Sequence, residues 1–284
     1  MNCFIDQESI SNNSSWLLEI SITFLAFLLG LISTIIINRF SERKKRKRLK
    51  EFYLSWIEFS LEAFDRQIIL FNEYINEISN KKSIRLKFNN NQIDKLNDLN
   101  NEELFDAFVI SNKGNTKLNS ENLHKLGSHI SYLEISIQNI KEKFNEFREE
   151  NKNWTEHWNT SFLEFGKIIM DYITKHKRNY GKNIEDIFLL KEKLNELGKT
   201  DQVPSEVVFN EFITPIRKIF SHHLNLNHDD ISLNGIKSSE RLNALILQKN
   251  HLYKTHIEGI EDYKKQISYT LEKSKEIVEY FKNQ

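Results

Sequence analysis

ISITFLAFLLGLISTIIINRFSERKKRKRLK, residues 20–50, sets eighteen uncharged residues directly before a run of cations. As a helix rising ~1.5 Å per residue, residues 20–37 extend about 27 Å, close to the ~30 Å hydrocarbon core of a bilayer. Twelve of the eighteen are Leu, Ile or Phe. Each favours insertion by about 0.3–0.6 kcal/mol. The hydroxyls of the few Ser and Thr residues can bond to their own helix backbone, so they do not reverse that balance. Trp16 at one end and Asn38, Arg39 and Phe40 at the other suit the headgroup zones. A cleaved signal peptide would carry its cations before the apolar run and small residues after it, and the order here is the opposite. The expectation is one transmembrane helix over residues 16–38.

The cations are Arg39, Arg43, Lys44, Lys45, Arg46, Lys47, Arg48 and Lys50, with Glu42 the single acid among them. Lys and Arg beside a membrane helix are retained on the cytoplasmic side. The tail of residues 1–15 contains Asp6 and Glu8 but no Lys or Arg. The expected topology is therefore a tail outside the plasma membrane and everything from about residue 39 on its inner, cytoplasmic face. The polybasic segment, residues 39–50, marks topology and meets anionic lipid headgroups, at ~1 kcal/mol per cation, weakened by salt.

Beyond this segment the chain is mildly acidic, with 32 basic and 36 acidic residues from Glu51 onward. It lacks the broad positive field of a nucleic-acid-binding domain. The single cysteine, Cys3, excludes an intramolecular disulfide and a cysteine zinc site. Eight Gly and two Pro in 284 residues supply few turns, so long helices are expected over a many-stranded sheet. Abundant Asn, Lys and Ile match the codon bias of an AT-rich bacterial genome.

Apolar residues at Leu49, Tyr53, Trp56, Phe64, Ile68, Phe71, Ile75 and Ile78 follow helical steps, apart from one gap across Ser60. They predict a helix over about 42–79, widened by Leu54, Phe59, Leu61 and Ile69 into a bundle-packing face. Residues 80–101 read as an Asn-rich connector in which SIRLKF has strand-like alternation but no partner strand. Asn101 is expected to cap a short acid-first helix, EELFDAFVI, that stops near Gly114.

The most regular pattern is Leu123, Leu126, Ile130, Leu133, Ile137, Ile140, Phe144 and Phe147, with steps of three and four that give a heptad seam. It resumes at Trp154, Trp158, Phe165, Ile168 and Tyr172, so either one helix spans 120–177 or a break falls at residues 151–153. A long partner is expected over 237–282, with shorter helices near 183–197 and 205–224, the first ended by Gly198 and the second reset at Pro215.

Chemistry-bearing residues concentrate in TPIRKIFSHHLNLNHDD, residues 214–230. His222, His228 and Asp229 are of the types that bind zinc, iron or manganese, but adjacent His222 and His223 cannot share one helix face. Neither a metal nor any other cofactor is expected. Arg217 and His222 stand as R-x4-H, a spacing similar to the active-site motif of HEPN-type helical ribonucleases. That resemblance covers these two residues and implies that they act on an RNA phosphodiester. The aromatic set Trp154, Trp158, Phe162, Phe165 and Tyr172 is expected in the core. A phosphate-cradling glycine loop, a nucleophile elbow and His-Glu-x-x-His are all absent from the sequence.

The sequence thus predicts an all-α chain: an amino-terminal transmembrane helix followed by a long-helix bundle or coiled-coil-like cytoplasmic domain over residues 51–284. The leading expectation is a membrane-anchored interaction or signalling protein whose partners are anionic lipid and another protein or itself, with nucleic acid disfavoured. The alternative is a membrane-tethered effector enzyme, a HEPN-like ribonuclease or a metal-dependent one, centred on Arg217 and His222.

Overall fold

The computed structural model describes residues 8–79, 85–89, 100–111, 114–177, 181–198 and 203–284. The tail through residue 7, the start of SIRLKF and most of the Asn-rich connector lie outside the described residues. The fold is all-helical, and the described residues include no strand. Its elements are α1 (Glu8–Ser79), α2 (Asn101–Phe105), α3 (Thr116–His176), α4 (Gly181–Leu197), α5 (Ser205–Val208), α6 (Thr214–Asn227) and α7 (Asp230–Lys282). Two π-helical turns, Asp106–Ile110 and Phe209–Ile213, extend α2 and join α5 to α6.

The two expected segments 16–38 and 42–79 are one helix, α1, because residues 31–79 contain neither Gly nor Pro to break it. Thr23 Oγ1 and Thr34 Oγ1 donate to the carbonyls of Glu19 and Gly30, at 2.8 and 2.9 Å, which keeps these hydroxyls satisfied within the helix. Every side chain from Glu19 through Lys45 is exposed, Ile37 by 65%. This is a helix long and apolar enough to span a membrane.

The chain divides into two compact units, each drawing segments from α1, α3 and α7. The first comprises residues 1–70, 87–134 and 267–284. Tyr53 of α1 packs edge-on against Phe108, and Phe108 against Phe281 of α7, with centroids 5.4 and 4.9 Å apart. The cap of α2 is Asn100, one residue before the expected Asn101, and its Oδ1 accepts from the backbone N–H of Glu102 at 2.9 Å. Buried Gln67 does the work of a partner strand for the connector. Its Nε2 donates to the carbonyl of Lys87 (2.9 Å) and its Oε1 accepts from the N–H of Asn89 (2.7 Å).

The second unit comprises residues 71–86 and 135–266. Here α3 is continuous through residues 151–153, and Trp154, Trp158, Phe165 and Tyr172 enter one apolar cluster with α4, α6 and α7. Ile169, not Ile168, is the buried member of that turn. Pro215 lies in the first turn of α6, just after the second π-turn. Proline offers no N–H to the carbonyl one turn back, and a wider local register accommodates that loss.

The heptad seam is consumed inside the chain. All of its members except half-buried Leu123 are buried. In the second unit Phe144 meets Tyr74, and Phe147 stacks on His256 with centroids 4.0 Å apart.

Candidate functional site

The junction of α6 and α7 gathers the buried polar groups His176, His223, Asp229 and Ser232. α6 ends at His228, whose backbone adopts the left-handed conformation (φ 49°, ψ 41°) while its N–H bonds to the carbonyl of Leu224. That reversal lets the next residue, Asp229, begin α7 as a capping carboxylate. Its Oδ2 accepts from the backbone N–H and the Oγ of Ser232, both at 2.9 Å. Its Oδ1 accepts from Lys175 Nζ at 2.7 Å and lies 3.4 Å from His176 Nε2. His223 Nδ1 is 3.1 Å from Ser232 Oγ, and its ring sits edge-to-face with those of His176 and Tyr172.

Charge at this junction follows from burial and partners. Burial pushes the Asp229 carboxyl up, but the hydrogen bonds from Lys175 and Ser232 outweigh it and hold the group well below the usual carboxylate range. Burial, assisted by neighbouring His176, moves His223 down, so its imidazole is neutral at pH 7. His176, His223 and Asp229 each direct one donor atom into a region where these atoms lie within 4.8 Å of one another. A tetrahedral zinc needs donors about 3.3 Å apart, given bonds of ~2.0–2.1 Å. The three residue types suit zinc or iron. In the observed geometry the cation against Asp229 is the Lys175 ammonium, so a metal would require Lys175 to swing away and the two rings to close in.

Of the metal candidates in the sequence, Asp229 is in this cluster, whereas His222 and His228 are exposed. His228 serves as a backbone cap. The expected split of His222 and His223 is observed, with the second turned into the core. Arg217 is half-exposed and donates to Glu240 at 3.0 Å. The R-x4-H pair is therefore an ion-paired Arg and a solvent-facing His. Asp229 and Ser232 form a capping spacing that could have located the start of α7, but the arrival of His176 from α3 has no local signature.

The polybasic segment is partly engaged with the protein itself. Lys45 donates to Glu103 at 2.8 Å and Arg46 pairs with Asp106 at 3.2 Å, so the acid-first α2 docks on the cations of α1. Arg39, Arg43, Lys44, Lys47 and Arg48 are exposed, and Lys50 is half-buried. Trp154 and Trp158, besides joining the core, border an open cleft of about 760 Å³ beside Lys249 and Tyr253. Lys249 Nζ lies 4.5 Å from the Trp154 ring centroid and donates to Ser205 Oγ at 3.0 Å.

No protein-family model, curated protein or solved structure matches this chain.

Proposed function

We propose that the protein is a single-pass membrane-anchored helical module whose amino-terminal tail lies outside and whose two units sit on the cytoplasmic face of the plasma membrane. Its work there is association with a protein partner or a second copy of itself. The observation that carries this reading is the uncharged, apolar stretch of residues 20–37, which none of the described residues covers. Twelve large apolar side chains left in water would each forgo roughly 1.5–3 kcal/mol of burial, and a bilayer supplies what the fold does not. The following cations favour the inner leaflet.

Association draws support from a second surface. Phe52, Trp56 and Phe59 form a ladder on α1, with centroids 6.1 and 6.0 Å apart, and Phe52 and Phe59 are more than half exposed. Aromatic anchors of this kind dominate protein interfaces. The heptad seam, being buried within the chain, lends no such support.

Membrane fractionation tests the anchor. The protein should resist alkaline extraction and enter the supernatant only with detergent, and a reporter fused after Gln284 should be active in the cytoplasm. A protein that stays in the high-speed supernatant without detergent, or a reporter active only outside, would overturn the reading.

A second reading, a metal-dependent effector, rests on the proximity of His176, His223 and Asp229. It requires the full chain to bind Zn²⁺ in titration calorimetry, more tightly in Lys175→Met and not in His223→Ala. The ribonuclease form requires RNA degradation that is lost in Arg217→Ala and His222→Ala. Failure of all these assays removes the enzymatic reading.

A further inference from the structure

Within the first unit, the segment of α1 that follows the apolar stretch forms one wall of a cleft of about 860 Å³, a size suited to a small organic ligand. Its polar lining is dominated by Arg43, Arg46, Lys47, Lys50 and Lys282, against the carboxylates Glu51 and Glu58. Its apolar lining comes from Leu54, Ala107, Ile110 and Phe281.

Three of the five cations already have partners. Arg46 pairs with Asp106, Lys47 lies 3.8 Å from Glu51, and Lys282 is hydrogen-bonded to Glu58. Arg43 and Lys50 have no carboxylate within ion-pairing distance among the described residues. Lys50 is the more unusual of the two. Its ammonium is half-buried and stands 5.9 and 6.0 Å from the ring centroids of Phe108 and Phe281. Burial lowers its pKa, so the fold disfavours the charge that this lysine carries at pH 7. An anion placed beside it would relieve that penalty.

From this juxtaposition we infer that the cleft binds an amphipathic anion, a phosphate or carboxylate group held by Arg43 and Lys50 whose apolar body lies along Leu54, Ile110 and Phe281. Lys50 is seven positions after Arg43, about 10 Å along the helix, so the cleft accepts an extended headgroup or one that moves between them. Lys50 lies thirteen residues beyond Ile37, roughly 20 Å, and headgroup regions are only ~5–8 Å thick. Arg43, about 9 Å beyond Ile37, stands at the edge of the headgroup region and Lys50 well outside it. The occupant is therefore a single-chain amphiphile from solution or a lipid drawn partly out of the bilayer. The inference goes beyond the anchoring role and stands whether or not residues 20–37 lie in lipid.

Titration calorimetry on the full chain in non-ionic detergent, with hexyl phosphate and inorganic phosphate as probes, tests it. Hexyl phosphate should bind at least about tenfold tighter than phosphate. The pocket variant Arg43→Gln/Lys50→Gln should weaken hexyl phosphate about tenfold or more. A control of equal charge outside the cleft, Arg39→Gln/Arg48→Gln, should change it by less than about twofold. Ile110→Ser, at a position already 58% exposed, should weaken hexyl phosphate and leave phosphate unchanged. Circular dichroism should find all three variants as helical as the parent. Equal losses in pocket and control variants, or equal affinity for the two probes, would overturn the proposal. Phosphatidylglycerol vesicles form the second arm. If pocket-variant binding falls there too, the occupant comes from the bilayer, and if it falls only for hexyl phosphate, the occupant is soluble.

Discussion

The Tyr74 hydroxyl lies 2.7 Å from His256 Nε2, and both side chains are buried between α1, α3 and α7. Burial, with Tyr253 nearby, raises the Tyr74 pKa, so its hydroxyl stays protonated and donates. Burial lowers His256 to about 4, so its imidazole is neutral and accepts, which puts its own proton on Nδ1. An unfolded His titrates near 6.5, so between pH 6.5 and 4 the unfolded chain binds the extra proton and the folded chain does not. This contribution to stability is complete above about pH 6.5 and is lost as pH falls towards 4, at up to about 1.4 kcal/mol per pH unit. Thermal unfolding across that window should flatten in His256→Gln. An unchanged slope would mean that His256 is not the responsible group.

Gly235 of α7 faces the Phe220 ring of α6 at close range, since a Cβ there would lie 2.3 Å from two carbons of that ring, which is fully buried. Gly235→Ala should lower stability by about 1–3 kcal/mol through overpacking. Gly166→Ala and Gly259→Ala, with open space around the added methyl, should raise it by about 0.5–1 kcal/mol through helix propensity. Melting curves of the three variants check the opposite signs.

At the α6–α7 junction, Asp229→Ala removes a helix cap and the partner of Lys175 together. It should cost about 1–3 kcal/mol, since the Lys175 left behind is half-exposed, and Asp229→Asn, which keeps the cap, should cost less. His228→Gly should gain about 1 kcal/mol by relieving a left-handed conformation unfavourable to a side chain. Denaturant titrations distinguish these outcomes, and a loss on His228→Gly would assign the imidazole a role beyond the turn.

The aromatic ladder gives a prediction about assembly. Phe52→Ser/Phe59→Ser should leave the fold intact, because both rings are more than half exposed. It should shift detergent-solubilised protein to a smaller species in light scattering if copies associate through this face. An unchanged mass would place self-association elsewhere or exclude it.

Helix periodicity made most of the architecture legible from the residues. The seam from Leu126 to Phe147 is buried as its spacing implies, and the helices near 183–197 and 237–282 form. The spacing could not tell whether the seam faces another protein or the same chain, because heptad geometry is identical in both cases, and here the partners include Tyr74 and Tyr253. The His176–His223–Asp229 cluster was invisible for a different reason. Its members are 47 and 6 residues apart, and only the capped turn at His228 and the packing of α3 bring them together. No local residue pattern compels the π-turn at Asp106–Ile110, so helical periodicity does not reveal it.

Since α1 runs unbroken from Glu8 to Ser79, the packed part of the first unit is joined to residues 20–37 by continuous helix and not by a loop. Each residue added to an α-helix turns everything beyond it by about 100°. A single alanine inserted at residue 41 would therefore swing Phe52 and Lys50 to another azimuth relative to residues 20–37. Three or four inserted alanines would nearly restore the original facing at a greater height. In this chain the angular phase of one helix, rather than the length of a linker, decides which surface the first unit turns towards its surroundings.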